Sequence, residues 1–382
     1  MRKIKAAIIG AGFIGKAHIE AIRRLGYVDI VAVGQNGQDK ADEYARVLKI
    51  PKAYGNVEDL LKDPEIEVIH NCTPNHLHFE INKQALLHGK HLLSEKPLTL
   101  RASEAKELYE LAAGRSLVTG INFNYRQFPM VQHLKSMVKD QDLGELHTIR
   151  GSYLQDWLLY NTDYNWRMEP EYGGETRAIS DIGSHLFDLV QYVTGLRIAE
   201  VFADISIVIP QRYKAVGSRE SFQSGTDGDM ELVNMTTEDY CSVLVKFENG
   251  ARGVLTVSQV SAGKKNALEL NLDGSQASGS WKQEEPFKLL MGYRDKPGET
   301  VLRDPKQLKK EALPFMHYPG GHEEGWTDSL KNMMHHYYQA IVNGEPLSDS
   351  VATFREGYQV MTINDAILRS VKSGTWEKIS IG

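Results

Sequence analysis

The first third of the chain alternates short apolar runs with amphipathic stretches. Ala6–Ile9, Ile30–Val33, Val68–Cys72, His91–Leu93 and Leu117–Ile121 read as strands bounded by turn residues. Between them, His18–Leu25, Lys40–Leu48, His76–Leu87 and Ala102–Ala113 repeat apolar residues at three- and four-residue spacing and read as helices. Strict alternation of strand and helix implies right-handed βαβ units and a doubly wound parallel sheet. The pattern changes near Phe128. From about His147 the chain reads as longer alternating strands, with Tyr240–Phe247 and Gly253–Val260 flanking the hairpin signal Asn249-Gly250. Ala267–Leu272 and Phe287–Gly292 are further strands. Gln211–Leu232, rich in glycine, serine and charge, reads as a long exposed loop. Helical patterns at Thr327–Val342 and Thr353–Ser373 close the chain. The expectation is an α/β domain over residues 1–126 and an α+β domain over residues 127–382, built on a large, open-faced, mainly antiparallel sheet. Such a sheet needs its face and edges covered, so a homodimer or homotetramer joined through it is expected.

A chain of 382 residues is long enough for two cores. Its 41% hydrophobic and 25% charged residues fit a soluble globular protein. The net charge of −6 argues against nucleic acid or an anionic membrane as partner. Two cysteines, Cys72 and Cys241, exclude a disulfide framework and a multi-cysteine metal cluster, and suit a reducing compartment. The first residues run directly into a strand without the apolar core of a signal peptide, and no window is long enough to span a membrane. The cytoplasm is the expected location.

The first strand ends in Gly10-Ala11-Gly12-Phe13-Ile14-Gly15 and a helix follows. Gly10 permits the tight turn, Gly12 lets a pyrophosphate approach the backbone, and Gly15 lets helix and strand pack closely. The helix N-terminus then holds the anion. Strand before, helix after and βαβ unit around it make this a Rossmann dinucleotide site, with Gly10, Gly12, Phe13, Ile14 and Gly15 at the cofactor. An acidic residue is ordinarily expected after the second strand to bind the ribose 2′-hydroxyl; Gln35 stands there. It can bond a hydroxyl but carries no charge to repel a 2′-phosphate. NAD is expected, with NADP accepted.

Two further stretches carry chemistry. Ser94-Glu95-Lys96-Pro97 follows the strand His91–Leu93, and ligands of open α/β sheets lie beyond the carboxyl ends of the strands. Lys96 therefore projects toward the cofactor rather than serving as an ordinary surface charge. Asp181 and His185 lie four apart in Asp181-Ile182-Gly183-Ser184-His185-Leu186-Phe187-Asp188, on one face if the helix has begun by Asp181. A helix cap with a buried, hydrogen-bonded histidine is the plain alternative.

Together these motifs resemble the glucose–fructose oxidoreductase/inositol dehydrogenase/MocA family. The resemblance rests on Gly10–Gly15, Thr73-Pro74-Asn75 with His78, Glu95-Lys96-Pro97, and Asp181 with His185 and Asp188. Gln35 departs from the acidic residue of many members. The resemblance implies that Lys96, Asp181 and His185 are catalytic. It implies that Thr73, Pro74, Asn75 and His78 lie along the cofactor, with Glu95 near the nicotinamide ribose. It also implies an oxidoreductase acting on a secondary alcohol of a sugar, inositol or related polyol. Gln155–Leu158, Asn165–Arg167 and Gly173-Gly174 with Arg177-Ala178 resemble a levoglucosan-dehydrogenase-like subgroup of glycoside-directed members.

The chemistry expected is hydride transfer, with His185 as general base, Lys96 stabilising the alkoxide and Asp181 binding a neighbouring hydroxyl. No metal is called for. Tyr125, Arg126, Trp157, Arg167 and His322, with Asp181 and His185, are candidate substrate contacts; core packing is the competing reading for each aromatic. Two other functions remain open. One is an NAD-dependent glycosidase that oxidises transiently with no net redox change. The other is a non-catalytic NAD(P)-binding sensor.

Overall fold

Residues Ile4–Ile9 are buried except for Lys5, as a strand with both faces covered must be. The computed structural model describes residues 3–215 and 230–380. In chain order the first elements are β1 (Ile4–Ile9), α1 (Phe13–Arg23), β2 (Val28–Gly34), α2 (Gln38–Leu48), β3 (Lys52–Tyr54), α3 (Val57–Lys62), β4 (Val68–Asn71), α4 (His78–Leu87), β5 (His91–Ser94), α5 (Ala102–Ala113) and β6 (Thr119–Ile121). There follow α6 (Pro129–Lys139), β7 (Leu146–Leu154), α7 (Pro170–Gly173), α8 (Ser184–Thr194), β8 (Ile198–Ser206), β9 (Gln211–Ala215), β10 (Met230–Asn234), β11 (Tyr240–Phe247), β12 (Arg252–Ser258), β13 (Ala267–Gly274), β14 (Ser278–Lys282), β15 (Lys288–Gly292) and β16 (Glu299–Leu302). The chain closes with α9 (Trp326–Asn343), α10 (Phe354–Ser373) and β17 (Glu377–Lys378).

The structure divides into two units, Met1–Asn124 with Trp326–Met361, and Tyr125–Gly325 with Thr362–Gly382. In the first, among the described residues, six parallel strands are ordered β3-β2-β1-β4-β5-β6. The order reverses between β1 and β4, the place where such sheets bind ligands at their carboxyl ends. Sequence reading sets a single boundary at residue 126, whereas residues 326–361 return to the first unit. The reason lies on α9: Leu330, Met333, Met334, Tyr337 and Tyr338 form a helical stripe packed with Ile8, Ile19, Ile22 and Val68.

In the second unit, among the described residues, nine strands run in the order β16-β15-β14-β13-β7-β12-β11-β8-β17. Pairing is antiparallel throughout except for β7 with β12. The Asn249-Gly250 hairpin forms as expected: Gly250 takes φ +92° and its N–H donates to the Phe247 carbonyl at 3.0 Å. A Cβ on Gly151 of β7 would meet Leu186 of α8, and one on Gly279 of β14 would meet Leu134 of α6, so these helices cover one face. The other face leaves Leu244 and Leu290 47% and 46% exposed.

The expected loop Gln211–Leu232 is corrected at its ends. Gln211–Ala215 and Met230–Asn234 pair as an antiparallel ribbon; residues 216–229 lie outside the described ones. Arg212 anchors the ribbon: its buried guanidinium donates to Asp239 and to the Tyr160 and Asp163 carbonyls. Among the described residues no helix is long and apolar enough to cross a membrane.

Met333→Ala should lower stability by about 2–5 kcal/mol in urea unfolding, because it opens a cavity between α9 and the first sheet. Val342→Ala on the exposed side of the same helix should change it by no more than about 0.5 kcal/mol.

Candidate active site

The glycine turn is built by steric exclusion. Gly10 sits at φ +86°, and a Cβ there would lie 2.7 Å from the Cys72 carbonyl oxygen. A Cβ on Gly15 would strike the carbonyl of Gly10, so α1 presses directly on the end of β1. A Cβ on Gly12 would meet nothing within 4 Å. Gly12 is the N-cap of α1, no side chain caps the helix, and its first turn holds no acidic residue. The helix start thus carries a partial positive charge with no acidic side chain in its first turn to oppose it, a fit for a pyrophosphate. Phe13 is 57% exposed and its ring stacks on Trp326. Gln35 follows β2, and its Nε2 is buried with no hydrogen-bond partner among the described residues, which fits a hydroxyl of the bound dinucleotide.

The carboxyl ends of β4 and β5 are tied together by polar side chains. Asn71 donates to Asn82 and Asn82 to Ser94 Oγ. Thr73 Oγ1 donates to Asn71 at 2.7 Å. Pro74 leads into a 3₁₀ turn over Asn75–Leu77. His78 is fully buried, with Nδ1 2.7 Å from the Pro97 carbonyl and Nε2 2.9 Å from that of Thr73. It clasps the loops after β4 and β5; burial lowers its pKa against the upward pull of the two carbonyls. Lys96 is half-buried, its peptide bond to Pro97 is cis, and its N–H donates to Glu95 Oε2 at 3.2 Å.

Behind Glu95 runs a file of polar groups that sequence reading missed. Glu95 Oε1 lies 2.9 Å from His18 Nε2 and 2.6 Å from Asn122 Nδ2. His18 Nδ1 lies 3.0 Å from His70 Nδ1, and His70 Nε2 lies 2.7 Å from the Tyr338 hydroxyl. Burial drives His70 well below the ordinary histidine range, with His18 adding to it. A neutral His70 offers one donor and one acceptor, so when its Nδ1 donates to His18 its Nε2 accepts from Tyr338, and the reverse. Burial raises the Glu95 pKa, but His18, Asn122 and Lys96 outweigh it and hold the carboxyl below its usual range.

In the second unit, Asp181 lies in a π-helical turn, Ile179–Gly183, that passes into α8, which begins at Ser184 and carries His185. Asp181 accepts from Gln259 Nε2 at 2.9 Å and lies 3.4 Å from Arg167 Nε. His185 is 8% exposed; the Tyr125 ring stands edge-on to it at 4.8 Å and Tyr153 at 6.3 Å. The hydroxyls of Tyr125 and Tyr153 are 2.7 Å apart, and Asn266 bonds both. Burial pushes the Tyr125 pKa up to about 12, against the lowering effect of Tyr153 and Asn266.

Arg126 is 4% exposed and grips Asp188 through Nε at 2.8 Å and Nη2 at 2.5 Å, one turn beyond His185. That pair fixes the rotation of α8. Trp157 donates to Gln155 at 2.9 Å and packs beside Leu158, Met168 and Met235. Arg167 lies over Trp166 and bonds Asn165. His322 is exposed, and its backbone carbonyl accepts from Arg303. Gln259, Tyr153 and Asn266 also escaped sequence reading. They carry no motif, and only the sheet register brings them to Asp181 and His185.

The glycine turn, the open helix N-terminus and the Lys96 strand end define an NAD-binding oxidoreductase. Comparison with known proteins agrees: residues 4–123 match "Oxidoreductase family, NAD-binding Rossmann fold" and residues 131–279 match "GFO/IDH/MocA C-terminal domain". The chain belongs to this oxidoreductase family. It is 29% identical over 390 residues to levoglucosan dehydrogenase of Pseudarthrobacter phenanthrenivorans, with 98% of each chain covered. It is 30% identical over 344 residues to glucose-6-phosphate 3-dehydrogenase of Bacillus subtilis, with 89% of each covered. A solved structure of levoglucosan dehydrogenase in complex with NADH and L-sorbose aligns with a TM-score of 0.89, at 26% identity and over 100% of both chains.

His18→Ala strands the buried Glu95 carboxylate and should cost about 3–5 kcal/mol at neutral pH. A group whose folded pKa is lowered stabilises above its unfolded pKa and loses that contribution as pH falls. The deficit of His18→Ala should therefore narrow in acid, as the unfolded chains take up the proton and the Glu95 of the variant follows. Parallel urea titrations at pH 7 and pH 4 measure it.

Proposed function

We propose that the protein oxidises, or in reverse forms, a secondary alcohol on a sugar or anhydrosugar ring, with Lys96, Asp181 and His185 acting on that alcohol. The observation that carries this reading is the position of Lys96. It follows Glu95 just past the end of β5, at the carboxyl end of the parallel sheet whose first strand ends in the glycine turn. The bound nicotinamide supplies the hydride acceptor or donor. Lys96 stabilises the oxygen as it gains negative charge. His185 takes the hydroxyl proton, with Tyr125 and Tyr153 fixing the plane of its ring. Asp181, already oriented by Gln259 and Arg167, accepts from a neighbouring hydroxyl of the ring. The names of the relatives support the substrate class, and none of those described favours a glycosidase or a sensor.

Cofactor contacts are assigned to Gly10, Gly12, Phe13, Ile14, Gly15, Gln35, Thr73, Pro74, Asn75 and Glu95. His78 supports them from behind as a clasp, and Arg126 supports the substrate side in the same way. Trp157, Arg167 and His322 remain candidates to contact the sugar. The half-exposed Leu244 and Leu290 support a homodimer or homotetramer joined through the open sheet face. The two free, buried cysteines suit a cytoplasmic location.

A screen of sugars, anhydrosugars and inositols, followed by NADH absorbance, tests the activity. Lys96→Ala should lower turnover by about 100- to 1000-fold, and His185→Ala by about 100- to 10000-fold. NADH binding, followed by fluorescence, should survive both changes. Sugar release without net NADH would replace this reading with the glycosidase.

Gln35 neither repels nor attracts a 2′-phosphate, so the ratio of kcat/KM for NAD over NADP should be modest. Gln35→Asp should raise it by charge repulsion. A wild-type protein that already rejects NADP by several orders of magnitude would refute the role given to Gln35.

A further inference from the structure

The turn that carries Asp181 begins without a local cap: no side chain of Ala178 bonds its N–H groups. A carboxylate 61 residues away in sequence does so instead. Glu238 Oε1 accepts the backbone N–H of Arg177 and of Ile179, each at 2.9 Å, and Oε2 accepts that of Arg177 at 3.0 Å. The carbonyl of Arg177 in turn accepts the N–H of Asp181 at 2.8 Å. One peptide segment thus connects the Glu238 carboxylate to the Asp181 backbone, and the turn leads straight into the helix of His185.

Glu238 is itself held. It is 2% exposed, and Arg177 Nε donates to its carbonyl at 3.2 Å. The guanidinium of Arg177 reaches the neighbouring Asp239, as does Arg212 Nη2 at 2.8 Å. A negative charge at the start of a helix is favourable, and charge-assisted bonds to N–H groups are the stronger kind. π-Helical turns inside helices are frequent at functional sites.

We propose that Glu238 is a positioning residue: its carboxylate fixes the start of this helix so that Asp181 and His185 are presented for reaction, and loss of its negative charge releases them. The proposal rests on the reading that Asp181 and His185 serve the reaction. Protonation at Oε2 would set an O–H against the Arg177 N–H and leave Oε1 a weaker, uncharged acceptor for Arg177 and Ile179. Burial pushes the Glu238 pKa up to about 7, against the backbone donors and Arg177, so its charge changes near neutral pH. The charged and titratable groups around it are Arg177, Asp239, Arg212 and the buried thiol of Cys241, which Glu238 helps to raise.

The test pairs two readouts on the whole protein, wild type and Glu238→Gln. Hydrogen exchange at the amides of Arg177, Ile179 and Asp181, corrected for intrinsic rates, should show protection that grows between pH 6 and pH 8 in wild type. Glu238→Gln should lack that growth. With a substrate from the screen, kcat/KM for the alcohol at pH 8 should fall by about 10- to 100-fold in Glu238→Gln. One ionisation should vanish from its pH profile, with NADH affinity unchanged. Glu238→Asp, which keeps the charge on a shorter arm, should keep the ionisation at reduced rate. Should Glu238→Gln not fold, the wild-type exchange profile and Glu238→Asp decide. Protection that ignores pH and substitution, or exchange that changes while kcat/KM and its pH profile do not, overturns the proposal. Wild type with no alcohol turnover sinks the functional reading instead, and exchange then decides whether Glu238 holds the turn.

Discussion

The carbonyl of Gly10 and the absent side chain of Gly15 occupy what would otherwise be the same space. That contact fixes where α1 begins relative to the end of β1, and the rest of the nucleotide unit depends on it. Pressed this close, the helix starts at the reversal point of the sheet and brings its partial positive charge there. The loops after β4 and β5 open on the same side, clasped by His78. Lys96 follows from this arrangement: a residue after β5 inherits its position from strand order, and strand order from the alternation that begins at the glycine turn. The open space over Gly12 is therefore a product of packing around it rather than a gap in packing.

Buried charge organises the second unit differently. Arg126 with Asp188, Arg177 and Arg212 with Asp239, and Arg303 with Glu324 are ion pairs withdrawn from solvent. Desolvation consumes most of what such pairs gain, so their effect lies in specifying geometry. Here each ties together segments separate in sequence, and two of the three lie beside the segment Asp181–Asp188. Apolar packing alone would leave that helix free to rotate or slide, since Leu, Phe and Val tolerate small shifts. A bidentate clamp on Asp188 does not.

Sequence carried the parallel sheet well because its strands are continuous apolar runs and its helices are periodic. The hairpin at Asn249-Gly250 was legible for a local reason, a turn that demands positive φ. The residues with motifs, Gly10–Gly15, Lys96, Asp181 and His185, lie at a turn into a helix, past a strand end and at a helix start, the kinds of element the pattern predicted. What escaped shares one property: the partner is remote. Composition in the middle of Gln211–Leu232 hid strands at its ends, whose stability comes from Arg212 reaching Asp239. His18, His70 and Tyr338 lie on α1, β4 and α9, and nothing local in their sequences marks them as neighbours. Arg126 was read toward the substrate because its place near the end of the first unit was visible and its partner Asp188 was not.

The return of Trp326–Met361 to the first unit has a consequence for how the protein is made. A growing chain releases the parallel sheet first, but with the apolar flank of α1 and β1 uncovered and His70 lacking the Tyr338 hydroxyl. All of Tyr125–Gly325 must be synthesised before α9 arrives to close it. The nucleotide unit therefore begins to emerge from the ribosome before Tyr125–Gly325 and is finished only after it. During that interval its exposed flank is a surface for chaperones or for aggregation. Nascent chains stalled within Tyr125–Gly325 would hold the Rossmann strands in this unfinished form.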